Sequence, residues 1–231
     1  MPQNSTEAQR ALTADQRRAL VRSLRQHVDG LRAFGVTAVP IAQGRAPSKA
    51  AQLARLAEEV ERCRRCPLYR TRTHAVVSDG SSDARLVFVG EAPGRDEDMQ
   101  GKPFVGAAGQ LLTKMIEAMG MKRDEVYICN VLKDRPPSNR TPLPEEVEAC
   151  LPFLEEQLAV VRPKVICALG AVAAKALLGP HVAITNVRGQ TREYRGTPVV
   201  PTFHPAYLLR NPDAKKLVWA DLKKVKQLLE I

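Results

Sequence analysis

From about residue 50 onward the chain alternates short apolar runs with longer stretches of helical period, and that alternation admits few folds. Residues 85–89, 126–128, Val165–Leu169 and 199–202 are short, apolar and rich in Val, Leu and Ile, so they read as strands. Residues 109–119, Pro144–Val161, 171–178 and 214–229 carry their apolar positions at helical spacing. Strands and helices in alternation cover both faces of one sheet. The expected class is therefore α/β, a three-layer α/β/α sandwich with a short, mostly parallel central sheet. In such sheets ligands bind beyond the carboxyl ends of the strands, and functional residues are sought there.

Upstream, the sequence predicts a helix over 49–61 that runs into the turn Cys63-Arg-Arg-Cys66-Pro67. Leu12, Leu20, Val21, Leu24, Val28 and Leu31 form one apolar stripe of a charged helix over 7–34. Pro40, Gly44 and Pro47 among small residues mark 36–49 as a linker. Residues 1–48 are thus expected to be a helical extension with its linker, and 49–231 the main domain. Lys and Arg number 35 against 25 Asp and Glu, a formal charge of +10, which suits a polyanionic partner such as nucleic acid. No apolar run is long enough to span a bilayer and the N-terminus is polar, so a cytoplasmic protein without a membrane partner is expected. In that reducing compartment the five cysteines are not expected to form a disulfide framework; paired ones are better read as metal or cluster ligands, and the odd count leaves at least one with another role.

Four motifs fall at strand ends or in small-residue loops. The first strand runs into Gly90-Glu91-Ala92-Pro93-Gly94, which places Glu91 at its carboxyl end with a turn behind it. Phe104 sits in the loop Lys102-Pro-Phe-Val-Gly106, where a large ring serves either as a core anchor or as a platform for a flipped-out base. Asn130 ends the second strand, and its amide, with one acceptor and two donors, matches the O4 and N3–H edge of uracil and mismatches cytosine. His204 ends the fourth strand and is held extended by Pro205. Taken singly, an ordinary turn, a capping Asn and a structural His remain open as readings.

Together the segments GEAPGRDED, GKPFVGAAGQ, ICNVLK and HPAYLLR, over residues 50–229, resemble the family 4 uracil-DNA glycosylases, the iron–sulfur group of that superfamily. The resemblance implies excision of uracil from single- or double-stranded DNA by a monomeric, monofunctional hydrolase of N-glycosidic bonds. It implies that Glu91 orients or activates the attacking water, with Gly90 and Ala92 flanking it around the uracil, that Phe104 stacks on the base and that Asn130 reads its edge. It further implies that His204 donates to uracil O2, and that Tyr207, Leu208 and Arg210 belong to the loop that enters the duplex or grips phosphate. Relatives that trap uracil-DNA covalently carry GEQPG and a basic loop that this chain lacks.

The family pattern also implies a [4Fe–4S] cluster on four cysteines, and here the sequence departs from it. Cys63, Cys66 and Cys150 stand in place, but the run Asn130-Val-Leu-Lys-Asp134-Arg-Pro-Pro has Asp where a cysteine is expected. The expected ligand set is Cys63, Cys66, Asp134 and Cys150. A three-iron cluster, zinc, substitution by Cys129, or loss of the metal stay open. Cys167, within a strand, reads as a buried apolar residue.

Overall fold

In the computed structural model, the described residues are 46–231 together with helical positions 19, 21–23, 25–26 and 29–30. The rest of the helix expected over 7–34, and the linker as far as residue 45, lie outside the described residues. The chain divides into two units, Met1–Ala46 and Pro47–Ile231.

The larger unit is built on a six-stranded sheet. Its strands are β1 (Ser78–Gly80), β2 (Leu86–Gly90), β3 (Tyr127–Asn130), β4 (Val165–Leu169), β5 (Arg192–Tyr194) and β6 (Thr197–Thr202), in the order β1-β3-β2-β4-β6-β5. The inner four run parallel, with Gly90 opposite Asn130 and Leu169 opposite Thr202, and the two short edge strands are antiparallel. This is the expected α/β class. Because β3 joins one side of β2 and β4 the other, the order reverses at β2, where a crevice opens beyond the strand ends.

The helices are α1 (Lys49–Glu61), α2 (Arg95–Gln100), α3 (Ala107–Ala118), α4 (Pro144–Val161), α5 (Gly170–Leu178), α6 (Ile184–Val187), α7 (Pro205–Arg210) and α8 (Lys215–Leu229). Successive strand residues face opposite sides of the sheet, and the core divides accordingly. Leu86, Phe88, Ile128, Val165, Cys167 and Val200 pack with Leu112 and Ile116 of α3 and Val218, Leu222 and Val225 of α8. Val87, Val89, Tyr127, Ile166, Ala168 and Val199 pack on the other face with Leu154 and Leu158 of α4 and Ala173 and Leu177 of α5. Both faces are covered, which is why the inner strands read as continuous apolar runs. At the far end of β6, the Thr202 hydroxyl donates to Asp221 at 2.6 Å, and Arg188 pairs with the same carboxylate. That network fixes the strand end just before His204.

Candidate active site

Three strand ends and the loop before α3 deliver the expected residues to one place. Glu91, Ala92, Phe104, Asn130 and His204 line a single cavity of about 330 Å³, with Asn139 and Arg140 on the same wall. Gly90 stands behind it. A Cβ at Gly90 would lie 2.3 Å from Asn130 Oδ1 and 2.5 Å from Phe104 Cζ, so only glycine lets the strand pass between the amide and the ring. Gly170, at φ +89°, has a similar part at the end of β4, where a Cβ would come within 3.0 Å of His204 Cβ.

His204 precedes α7, and its Nδ1 accepts the Ala206 N–H at 3.1 Å. With Nδ1 occupied as an acceptor, the ring proton of neutral His204 belongs on Nε2. Burial, aided by the charge of Arg210, pushes the imidazole down to about 4, so it is uncharged near neutral pH. The Phe104 ring lies 5.6 Å from the His204 ring, tilted by 30°. Burial raises the Glu91 carboxyl above the ordinary glutamate value. The side chains of Asn130 and Glu91 make no hydrogen bond among the described residues and are free to meet a ligand.

The segment after His204 is a short helix, and it differs from the expected DNA-contacting loop. Leu208, expected in the loop that meets DNA, is 1% exposed and packs in the core under α7. On a helix neighbouring residues face different sides, and the exposed side chains of this turn are Tyr207 (39%), Leu209 (48%) and Arg210. Tyr207 leans on Phe203 with ring centroids 4.8 Å apart.

Arg140 and Asn139 escaped the sequence reading, which took the run after Asp134 only as a candidate ligand segment. Arg140 is held at the cavity wall by Glu146 through two bonds of 2.8 and 2.6 Å. The Arg140 bond, with the Leu143 N–H, holds the Glu146 carboxyl below the usual range. A signal existed in sequence: Pro144 begins a helix and Glu146 is an acid in its first turn, placed to reach back.

The four expected cluster ligands lie in one region without converging. Cys66 and Cys150 are buried in one apolar cluster, whereas Cys63 packs with Leu56, Val60 and Phe153 in another. Asp134 is committed to Arg72, whose Nη1 lies 2.8 Å from its Oδ1. Burial raises the Cys66 thiol and that of Cys150, the latter to about 11, and raises Asp134 against the opposing pull of Arg72. Among the described residues no three His, Cys, Asp or Glu side chains are grouped to hold a metal ion. As they stand, these residues do not fit a four-ligand cluster site. Cys129 and Cys167 are both fully buried in strands facing the core.

The sequence profile of the Uracil DNA glycosylase superfamily matches residues 77–223, and the chain belongs to that superfamily. The resemblance narrows further to its type-4 branch. The chain is 49% identical to a Type-4 uracil-DNA glycosylase of Thermotoga maritima, over 76% of this chain and 93% of the relative. It is 44% identical to the Type-4 enzyme of Sulfurisphaera tokodaii, over 76% and 84%. To that of Archaeoglobus fulgidus it is also 44% identical, over 75% and 91%.

Proposed function

We propose that this chain hydrolyses the N-glycosidic bond of deoxyuridine in DNA, releasing uracil and leaving an abasic site, with residues 49–231 as the glycosylase domain. The observation that carries the reading is the meeting, in one cavity, of a neutral histidine with its Nε2 proton free, a partly buried carboxylate, an uncommitted amide and an aromatic ring.

Breaking this bond leaves positive charge on the sugar and negative charge on the uracil ring. His204 Nε2–H donates to O2, where the negative charge grows, so its bond strengthens toward the transition state. A neutral donor suits this task, since it stabilises the uracil anion without the cost of keeping a buried cation. Glu91 orients the attacking water and offsets the sugar's positive charge. The Asn130 amide pairs with O4 and N3–H, and Phe104 stacks on the extruded base. Arg210 and the exposed Tyr207 and Leu209 face the DNA. No step runs through an iron–sulfur cluster: Asp134 is paired with Arg72, and among the described residues no three of the candidate ligands are grouped to hold a metal ion.

Incubation with an oligonucleotide holding one uracil, followed by alkali, tests the reading. Cleavage at uracil alone, and only after alkali, is expected of a monofunctional enzyme. An uncut strand, with DNA still bound, would leave the chain a binding module.

A further inference from the structure

Glu97 belongs to the first turn of α2, three residues after Gly94, and one of its oxygens does what an acid at that position commonly does. Its Oε2 accepts the Gly94 N–H at 3.1 Å and caps its own helix. The other oxygen leaves the helix. Glu97 Oε1 accepts the N–H groups of Val105 and Gly106, both at 2.9 Å, in the loop that carries Phe104. One carboxylate therefore joins the turn behind Glu91 to the loop behind the stacking ring.

That loop needs holding. Phe104 has φ +54°, in the left-handed region that a bulky residue seldom adopts without support. Its carbonyl is pressed against Gly109, where a Cβ would lie 1.9 Å from the Phe104 oxygen. Its ring lies 6% exposed between Gly90 and His204. The two N–H groups gripped by Glu97 are those directly after the strained residue. They also lead into α3, whose first turn favours a nearby negative charge. Without the carboxylate, both N–H groups lose their acceptor, φ at Phe104 is free to relax, and the ring leaves its place on the cavity wall.

We infer that Glu97 is a positioning residue for uracil excision, acting through Phe104 by stapling the 94 turn to the 105–106 loop. The inference rests on the proposed glycosylase reading of the cavity. A double-mutant cycle read by single-turnover excision at saturating protein separates it from general stability. Glu97→Ala is expected to slow the bond-breaking step roughly 10- to 100-fold, the cost of a ring misplaced by about an ångström. In the Phe104→Ala background the same change is expected to cost less than about 3-fold, because its target is gone. Glu97→Gln keeps a carbonyl for Val105 and Gly106 but turns an NH2 toward Gly94 N–H, so its rate lies between, and it carries the cycle where the alanine variant fails to fold.

Amide hydrogen exchange at Val105 and Gly106 is read on the same proteins. Faster exchange is expected in Glu97→Ala, with Glu97→Gln between it and wild type, and it tests the staple even on a chain that releases no uracil. Exchange unchanged from wild type, a Glu97→Ala rate equal to wild type, or an equal loss with and without Phe104 would each overturn the inference. Wild-type protein that leaves uracil in place while exchange responds as expected would instead fail the glycosylase reading and keep the staple.

Discussion

Of the two ring nitrogens of His204 one is held and, among the described residues, the other is free, and the difference governs how the site responds to pH. Nδ1 is held by the Ala206 N–H, and burial keeps the ring neutral down to about 4. Glu91 is shifted the other way, above the 4.5 of an unperturbed glutamate. The single-turnover rate is therefore expected to fall in acid as Glu91 takes a proton, at a pH above that of an ordinary glutamate, with no separate limb from His204 until about 4. Glu91→Gln should be slower and lack that limb. A limb near 6.5, the ordinary histidine value, that persists in Glu91→Gln would mean that His204 titrates in the working range and reacts as a cation. Asn130 sets the identity of the base. Asn130→Asp can present a donor–acceptor pattern that admits cytosine, and cytosine release above background is the expected result. Unchanged uracil activity and unchanged specificity would take Asn130 out of the reading role.

Among the elements, the loops behind the site depend on one ion pair. The Arg72 guanidinium pairs with Asp134 and also donates to the carbonyls of Val60 and Glu61 at the end of α1, so it ties three segments together. Removing either partner of a pair this buried leaves an uncompensated charge, and Asp134→Ala is expected to cost about 3–5 kcal/mol in urea unfolding. A loss under about 1 kcal/mol would class the pair with exposed surface bridges. Arg72 could not be matched to Asp134 in the sequence, because nothing local relates residues 62 positions apart. The inner strands β2, β3 and β4, by contrast, were legible: each is buried along its whole length and so written almost entirely in apolar residues. The edge strands β1 and β5 have three residues each and are mostly polar, too short for any period to show. The same limit hid α2 and α7, six residues apiece, and with α7 the inward turn of Leu208. Glu91, Phe104, Asn130 and His204 were found because each stands at a strand end or in a small-residue loop. Arg140 and Glu97 act across loops, through partners that only the folded chain brings near.

For the whole molecule, a formal charge of +10 implies that DNA binding weakens steeply with salt, since each phosphate contact releases condensed counterions. A plot of log Kd against log salt concentration for a uracil-free single strand measures this. Arg210→Ala is expected to lower the slope by about 0.7, the share of one phosphate contact on a single strand. An unchanged slope would leave Arg210 clear of the backbone. Among the described residues no helix is long and apolar enough to cross a membrane.

In the proposed reaction the strand ends assemble a site that stabilises a departing uracil anion. The rate of uracil release by His204→Ala, compared with wild type at saturating protein and with Kd for the same oligonucleotide measured alongside, tests it most directly. Loss of a donor preset to a developing anion is worth about 10²–10³ in rate. The account predicts a fall of that size with Kd little changed. A His204→Ala protein that releases uracil at the wild-type rate would contradict it.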